Sequence, residues 1–519
     1  MYVNDEQFGF IVDYDHLREA ITPIYDYFFP EYNLLRSAEL SVEAAQRDPS
    51  YATSIGASGL SYSVLIAAGE HELAESLKGN IFTLGWTEEH TGSDLLSLRT
   101  KATPLPDSED GRDYHITGSK WIINCSYHAD YHIALAKVDT EQDGPRSLSF
   151  FLIPKSSIKN WQRIETHVMR KMVLGKFEID GPGRLIGKVG HGLSYLQQMA
   201  MPSKYQCTYM GISMLYRSIP AALDHLGTKV IFKDNPLRFS NVMRQMYDVV
   251  LKGAFYDFIY HRAVVFNGDG FLQFHGTLLK SFLLLRIHEV LDKNLLITGS
   301  KGFTRESCIG EDAADSSLLP VFDGHYTINT LMSAKHMPRY LNAENTVDME
   351  TRLQTLRENL FVQQYKNEIH NSPKDIRKPP FFDYADYLSQ FQVPFEIDPS
   401  VIVNTVQSVI DEIKDRGLSG DQEYKYKSGD MLHWMESVLA AAEMWKLLGD
   451  EYVNVIPLQY NGLVNVVNEI IAEGGMTTEF LTPVRMKPIP HPNELDDPAG
   501  YLRDLLNIRS RVNQPVLSY

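Results

Sequence analysis

The sequence has few cysteines and no long apolar run, and both absences narrow what the chain can be. Cysteine occurs 3 times in 519 residues, at Cys125, Cys207 and Cys308, and neither these residues nor the histidines show the spacing of metal ligands. The apolar stretch Ser281–Arg286 is broken by charge, so we expect no transmembrane segment. The N-terminus has neither the basic region nor the apolar core of a secretory signal. We therefore expect a reduced, cytoplasmic protein without a metal site.

Positive charge is also scarce. Lys and Arg together number 49 against 66 Asp and Glu, which gives a formal net charge of −17. Nucleic-acid binding requires clustered Lys and Arg, so we expect no nucleic-acid partner. No glycine-rich phosphate loop follows a predicted strand, which argues against nicotinamide or ATP use. A phosphorylated cofactor needs only a local basic patch and stays compatible with this charge.

The spacing of apolar residues divides the chain into four regions. This spacing predicts a short N-terminal helical domain over residues 1–80. It predicts a small antiparallel β domain over residues 81–190, with short strands separated by Gly, Pro and Asp clusters. Residues 191–345 predict a helical bundle, and residues 346–519 predict an additional helical domain. The predicted fold class is therefore mainly α with an inserted antiparallel β domain.

A polar turn and a tryptophan near the start of the β region suggest a binding site. An apolar run ending at Trp86 leads into the turn, in which Thr87 and Ser93 offer hydroxyls and Gly92 permits close approach to the backbone. A second β segment brings Trp121, whose ring can stack on a flat group. These features suit a flat cofactor with polar edges. An ordinary surface hairpin is the alternative interpretation.

Three motifs resemble those of the acyl-CoA dehydrogenase family of flavoenzymes. Residues 87–94 read T-E-E-H-T-G-S-D and resemble the family signature T-E-P-x-x-G-S-D, with Glu89 where proline is usual. Residues 118–124 read G-S-K-W-I-I-N and are similar to its G-x-K-W-I-(T/S)-N hairpin. Residues 185–192 resemble the segment that joins its β domain to the C-terminal helices. The resemblance implies N-terminal helices, a β-barrel-like middle domain and a C-terminal four-helix bundle, here followed by an extra helical region.

The resemblance also implies FAD bound between the β domain and the helical bundle. In the family the glycine-rich loop, here Gly299–Phe303, approaches FAD across a dimer interface, so we expect a homodimer or homotetramer. The segment Lys229–Lys233 stands where the family has R-x-x-F-G, and lysine keeps the charge but loses the bidentate fork of arginine. Ile123 replaces a hydroxyl residue, so only its backbone is expected to contact the flavin. The implied cofactor contacts are Trp86, Thr87, Gly92, Ser93, Trp121, Ile123, Lys229, Phe232, Gly299, Ser300 and His325.

Asp323 stands at the position of the family's catalytic glutamate. That base removes the α-proton of an acyl thioester while a hydride passes from the β-carbon to flavin N5. Aspartate is one methylene shorter, so the backbone has moved closer, the substrate differs, or the base is not used. His325 replaces the usual threonine and is expected to contact FAD or to assist as an acid or base. The family's Arg-Asp pair falls on Ala314-Asp315, so that arginine is absent.

Three functions are compatible with these residues. The leading hypothesis is an FAD-dependent dehydrogenase of an acyl thioester, carried by coenzyme A or an acyl carrier protein, with Asp323 as base and an electron acceptor such as an electron-transfer flavoprotein. The second is a flavin oxidase or monooxygenase, because nitroalkane oxidases resemble this family and carry aspartate as the base. The third is a non-catalytic assembly or binding protein, which the C-terminal addition and the missing arginine allow.

Some polar and aromatic residues carry no assigned role. Asp130, Lys204, Arg217 and His275 are expected to be exposed. The mixed charges around His433–Trp445 argue against membrane docking, which needs a basic amphipathic helix, and favour burial at a subunit interface.

Overall fold

The structure is a computed structural model that describes residues 2–5, 9–12, 18–19, 48–138, 144–266, 272–360 and 382–512. The chain divides into two compact units, residues 1–213 and 214–519. Much of the helical region predicted for residues 1–80 lies outside the described residues.

At the N-terminus, strands β1 (Tyr2–Asp5) and β2 (Gly9–Val12) form an antiparallel hairpin, so the prediction of helix there is wrong. The two segments are rich in β-branched and aromatic residues, which favour strands over helix.

The β domain of the first unit directly follows α1 (Pro49–Ala67) and α2 (His71–Ser76). The Asp48 carboxylate caps α1 by accepting hydrogen bonds from the amides of Ser50 (2.9 Å) and Tyr51 (3.2 Å). A capping aspartate followed by proline is a strong signal for a helix start.

Among the described residues of this unit, the β domain is a seven-stranded sheet that closes on itself. Its strands are β3 (Phe82–Gly85), β4 (Lys101–Pro104), β5 (Asp113–Asn124), β6 (Tyr131–Val138), β7 (Leu148–Pro154), β8 (Ile158–Arg163) and β9 (Leu174–Ile186). The order β6-β4-β5-β9-β7 returns to β6, while β3 extends from β6 and β8 from β9. Most pairs are antiparallel, but β6 runs parallel to both β3 and β4. Because the sheet closes on itself, the domain is barrel-like and few strand edges are left unpaired.

The second unit is helical. Helix α3 (Gly192–Thr228) contains the boundary between the units. The bundle region continues with α4 (Ser240–Val265), α5 (Leu272–Leu278), a π-helical turn (Leu279–Leu283), α6 (Leu284–Thr298), a 3₁₀ turn (Gly299–Phe303), α7 (Cys308–Ser316), α8 (Tyr326–Ala334) and α9 (Met337–Leu341). The C-terminal region adds α10 (Met349–Asn359), α11 (Tyr384–Ser389), α12 (Pro399–Asp415), α13 (Gln422–Leu448), α14 (Val455–Gly474), α15 (Pro498–Leu506) and α16 (Ile508–Val512). In the part of the chain that the structure describes, no helix combines the length and apolarity needed to cross a membrane.

Helix α13 is held against α4 by a buried charge cluster. The guanidinium of Arg262 donates to Glu436 and Glu443, and all three residues are buried. Tyr340 donates to Glu436 (2.7 Å) and Arg352 to Glu443 (2.8 Å). Burial alone would raise the pKa of Glu436, but the charge of Arg262 and the hydrogen bonds to the carboxylate outweigh burial, so this pKa lies well below its usual range. Residues 433–445 therefore pack inside their own unit, whereas we expected a subunit interface.

Several polar residues expected to be exposed are not. Lys204 and His275 are only 4% and 2% exposed. Arg217 is half-buried and donates from Nε to Asp312 at 3.0 Å. Asp130 is half-buried and accepts a hydrogen bond from the Ile81 amide at 2.8 Å. The partners of Arg217, Asp130 and His275 come from distant parts of the sequence, which local patterning does not reveal.

Helix α14 binds a later extended segment through an asparagine ladder. Three asparagines lie seven residues apart, and each donates through Nδ2 to a backbone carbonyl while Oδ1 accepts the amide of the same residue. Seven helical residues rise about 10.5 Å, which is close to the length of three extended residues, about 10 Å. The partners are accordingly three residues apart, with every distance between 2.8 and 3.1 Å: Asn454 with Lys487, Asn461 with Val484, and Asn468 with Leu481.

The ladder predicts the local stability of this segment. Asn461→Asp keeps the acceptor but replaces the donor with an oxygen that faces the Val484 carbonyl. Losing one buried donor costs about 1–2 kcal/mol, so we expect tryptic cleavage after the exposed Arg485 to accelerate by about five- to thirty-fold. Asn465→Asp, on an exposed position of the same helix, is the matched control. Equal cleavage rates in both variants would show that the ladder does not hold the segment.

Candidate functional site

The predicted site residues fall into two groups, one in each unit. The first unit contains Trp86, Thr87, Gly92, Ser93, Trp121 and Ile123. The second contains Lys229, Phe232, Gly299, Ser300, Asp323 and His325.

The polar turn in the first unit is closed by its own backbone. The Glu88 amide donates to the Thr91 carbonyl (2.9 Å), and the Thr91 amide donates back to the Glu88 carbonyl (3.0 Å). Thr91 Oγ1 also donates to the Asp94 carbonyl at 2.6 Å. The turn thus presents Gly92 and Ser93 at an exposed tip, while Trp86 and Thr87 are half-buried. The hydroxyl of Ser93 is therefore accessible to a ligand.

The turn is tied to the segment that carries the tryptophan. The Trp121 amide donates to the Thr87 carbonyl at 3.0 Å. Next to it, Ile122 has a φ of 57°, and the pairing of β5 with β9 shifts register between Lys120 and Ile123. This bulge bends the strand, as bulges near binding sites commonly do. Ile123 packs into the barrel core, so its backbone, rather than its side chain, is left for a ligand.

A buried ion pair that the sequence analysis missed fixes this arrangement. Glu88 accepts hydrogen bonds from the amides of Arg99 (2.8 Å) and Thr100 (2.9 Å) and from Lys120 Nζ (3.2 Å). Lys120 Nζ also donates to the Leu135 carbonyl at 2.8 Å. Glu88 and Lys120 both lie inside the quoted motifs, but nothing in those motifs indicates that the two side chains meet.

The charge state of the pair follows from its surroundings. Burial lowers the pKa of Lys120, and the Glu88 carboxylate opposes that shift, which leaves the pKa at about 8. Burial also acts to raise the pKa of Glu88, but the charge of Lys120 and the hydrogen bonds from Thr100 and Arg99 lower it overall. Both groups are therefore mainly charged at neutral pH, and each compensates the other.

In the second unit, the segment after α3 forms a tight turn. The Ile231 amide donates to the Asp234 carbonyl (2.8 Å), and the Asp234 amide donates to the Ile231 carbonyl (3.0 Å). The two central residues, Phe232 and Lys233, have φ of 52° and 71°. Phe232 is 90% exposed, and Lys229 at the start of the turn is half-buried. An aromatic ring so exposed at a loop tip is available for a contact outside the chain.

The glycine-rich loop belongs to the same unit. Gly299 ends α6 with a φ of 77°, a conformation that favours glycine, and Ser300 is exposed. Burial, and then the charges of Lys229 and Lys301, lower the pKa of His225. Within the described residues, the buried Nε2 of His225 has no hydrogen-bond partner. Lys229 and Lys301 are cations with which an anionic group can pair, although Lys301 Nζ also donates to Glu306 at 3.3 Å.

Asp323 lies in the loop before α8, where the backbone is unusual. Its φ is 55°, and that of Gly324 is 93°. Aspartate tolerates the left-handed region better than most residues, and such backbone conformations cluster at active sites. Lys280, buried in the π-helical turn, donates to the Leu319 carbonyl and lies 4.5 Å from the centroid of the Phe322 ring. The loop is therefore anchored immediately before Asp323.

His325 follows this loop and caps α8. Its Nδ1 accepts a hydrogen bond from the Thr327 amide at 3.3 Å, so the neutral ring carries its proton on Nε2. The Ala314-Asp315 pair lies in α7, with Ala314 exposed and Asp315 buried. Asp323 and His325 are thus close in the chain, but His325 uses one ring nitrogen for the helix.

Comparison with known proteins agrees with the β-domain motifs. Residues 83–181 match the family model of the acyl-CoA dehydrogenase middle domain. The chain is 24% identical over 294 residues to 3-methylmercaptopropionyl-CoA dehydrogenase of Ruegeria pomeroyi, which covers 49% of each protein. The chain thus spans about half the length of this relative.

Solved structures extend the likeness to the fold. A structure of acyl-CoA dehydrogenase complexed with FAD from Bacillus anthracis covers 95% of this chain and 90% of its own, with a TM-score of 0.71 at 18% identity. Butyryl-CoA dehydrogenase from Megasphaera elsdenii covers only 63% of this chain but 91% of its own, with a TM-score of 0.56 at 16% identity. The larger coverage means that the C-terminal helical region has a structural counterpart in the Bacillus protein.

These findings confirm the predicted resemblance and the predicted fold class. The chain thus has the fold of the acyl-CoA dehydrogenases, and its residues 83–181 match the middle domain of that family.

Proposed function

We propose that this protein is an FAD-dependent dehydrogenase that oxidises an acyl thioester to the α,β-unsaturated product. The observation that carries the proposal is the turn at residues 87–94, which is locked to Trp121 inside a matched middle domain. The relative from Ruegeria pomeroyi is named for a CoA thioester, and the Bacillus structure contains FAD. We propose coenzyme A or an acyl carrier protein as the thioester carrier and an electron-transfer flavoprotein as an acceptor.

The residues present fit FAD. The exposed Ser93 hydroxyl and the half-buried Thr87 are available to bind a heteroaromatic rim, and Trp121 offers a ring for stacking. Lys229 and Lys301 supply positive charge of the kind that a diphosphate requires, and both charges act on His225. When bound, FAD supplies the hydride acceptor. In the family the glycine-rich loop serves the partner subunit, so this assignment includes a homodimer or a larger assembly.

Asp323 is proposed to remove the α-proton of the thioester. A carboxylate placed at an acidified C–H contributes typically 10²–10⁴-fold to the rate. His325 is assigned a binding role through Nε2–H, since its Nδ1 is occupied by the Thr327 amide. The side chain is thus a donor in its neutral form rather than a base.

The role of Asp323 is tested by replacing its carboxylate with an amide. Asp323→Asn is expected to leave bound flavin unchanged but to slow anaerobic flavin bleaching by an acyl thioester about 10²- to 10⁴-fold. Stopped-flow absorbance at the flavin band measures the rate. Asp292→Asn, on an exposed position of α6, is the control.

Two outcomes would contradict this assignment. Bleaching of Asp323→Asn at the wild-type rate would remove Asp323 as the base. If no CoA or carrier-protein thioester bleaches the flavin of the wild-type protein, the proposed dehydrogenase activity is refuted. Rapid reoxidation of the reduced flavin by oxygen would indicate an oxidase.

The Glu88–Lys120 pair is predicted to maintain the flavin-binding turn. Glu88→Gln leaves the buried charge of Lys120 without compensation, and breaking one partner of a buried pair costs about 3–5 kcal/mol. We expect a lower midpoint of thermal unfolding and loss of flavin during gel filtration, measured by the ratio of flavin to protein absorbance. Glu89→Gln changes the adjacent, exposed glutamate and should behave as wild type. Full flavin occupancy in Glu88→Gln would mean that the pair does not shape the turn.

A further inference from the structure

We infer that helix α13 of the C-terminal region positions the Asp323 loop, with Gly429 and His433 as positioning residues. The inference deepens the proposed function and rests on it for the role of Asp323. It is carried by contacts that α13 makes with the elements on both sides of this loop.

The first contact is a close approach of two helix backbones. A Cβ atom built on Gly429 of α13 would lie 2.1 Å from the carbonyl oxygen of Thr330 in α8. Contact at that distance is impossible, so any side chain at position 429 must push the helices apart. Helix α8 begins three residues after Asp323, and the displacement would therefore be transmitted to the loop.

The second contact is a buried hydrogen-bond chain one turn further along α13. His433 Nε2 lies 2.8 Å from Ser333 Oγ, and Ser333 Oγ lies 2.7 Å from Thr277 Oγ1. His433 and Ser333 are fully buried. Burial lowers the pKa of His433 to about 3, so the ring is neutral. Because the Ser333 hydroxyl donates its hydrogen to Thr277 Oγ1, Nε2 of His433 is the donor to the serine. Helix α13 is thus bonded to the end of α8, and through it to α5.

The same helix also contacts the element that anchors the start of the loop. Trp434 packs edge-on against Phe282 of the π-helical turn, with ring centroids 4.7 Å apart. That turn contains Lys280, which bonds the Leu319 carbonyl ahead of Asp323. Helix α13 therefore touches both supports of the loop.

The loop itself needs such support. Asp323 has a left-handed backbone, which costs energy for a residue with a side chain and persists only when its surroundings enforce it. Two backbone bonds close the loop, from the Phe322 amide to Leu318 and from the Tyr326 amide to Pro320. If α8 shifts, the second bond weakens and the carboxylate moves. A misplacement of about 1 Å can cost on the order of a hundredfold in rate.

The test compares three glycine-to-alanine variants of the full-length holoprotein. Gly429→Ala removes the close approach, although alanine is the better helix former, so a loss cannot come from helix propensity. Gly420→Ala is the surface control, with open space around its Cβ. Gly253→Ala, in α4, is the core control, because its Cβ would crowd Ile219 of α3 rather than a residue of α8.

Two measurements read out the position of the loop. Hydrogen exchange followed by mass spectrometry reports the amides of residues 318–334, and steady-state oxidation of an acyl thioester with an artificial electron acceptor reports kcat separately from KM. For Gly429→Ala we expect faster exchange in this segment and a roughly tenfold to hundredfold fall in kcat, with little change in KM. Both controls should match wild type in both measurements.

Variants at position 433 provide an independent test should Gly429→Ala fail to fold. His433→Leu removes the donor to Ser333 and should reproduce the effect. His433→Gln places an amide nitrogen near the original Nε2 and should restore much of the exchange protection and of kcat. Wild-type exchange in both Gly429→Ala and His433→Leu would overturn the inference, as would an equal effect of Gly253→Ala. If none of the tested thioesters bleaches the flavin of the wild-type protein, only the proposed function is refuted, because the exchange measurement needs no turnover.

Discussion

The buried guanidinium of Arg262 is the constraint on which the second unit depends. Two glutamates in the middle of α13, Glu436 and Glu443, are buried and charged, and they are tolerated because Arg262 donates to both. Removing one partner of such a cluster leaves a buried charge without compensation, which is far more costly than losing a surface ion pair. A shift of α13 by one residue would turn the carboxylates away from α4. The cluster therefore sets the rotation of α13 about its axis and its position along that axis relative to α4.

That placement decides what the N-terminal half of α13 can reach. Gly429, His433 and Glu436 are separated by four and three residues, the spacing of neighbours on one helical face. When Glu436 meets Arg262, Gly429 and His433 consequently face α8. A salt bridge deep in the unit thus fixes a contact with the helix that follows Asp323. The buried charges of Arg262, Glu436 and Glu443 thus specify how α13 packs, as well as stabilising the packing.

The turn at residues 87–94 could be predicted from the sequence because its determinants are local. Thr87, Gly92 and Ser93 lie within one turn, and the structure joins that turn to Trp121 by a backbone bond. The packing of the helical unit could not be predicted to the same depth. His275 was expected at the surface, but it lies beside Glu436, a residue far away in the sequence. The role of residues 433–445 was likewise misassigned to a subunit interface, since an apolar helical face does not indicate which surface covers it.

The C-terminal region is itself held by polar contacts that are specific in register. The asparagine ladder fixes α14 to its extended segment. Arg238 binds the turn that follows this segment by donating to the carbonyls of Pro492 (2.9 Å) and Leu495 (2.6 Å). Because Arg238 directly precedes α4, the chain is tied back to the helix that carries Arg262. The region that lies beyond the family's usual bundle is therefore bound at several points to that bundle. In the role proposed for Asp323, a base that is one methylene shorter than glutamate demands a well-defined loop, and we infer that the contacts of α13, more than a hundred residues away, position that loop.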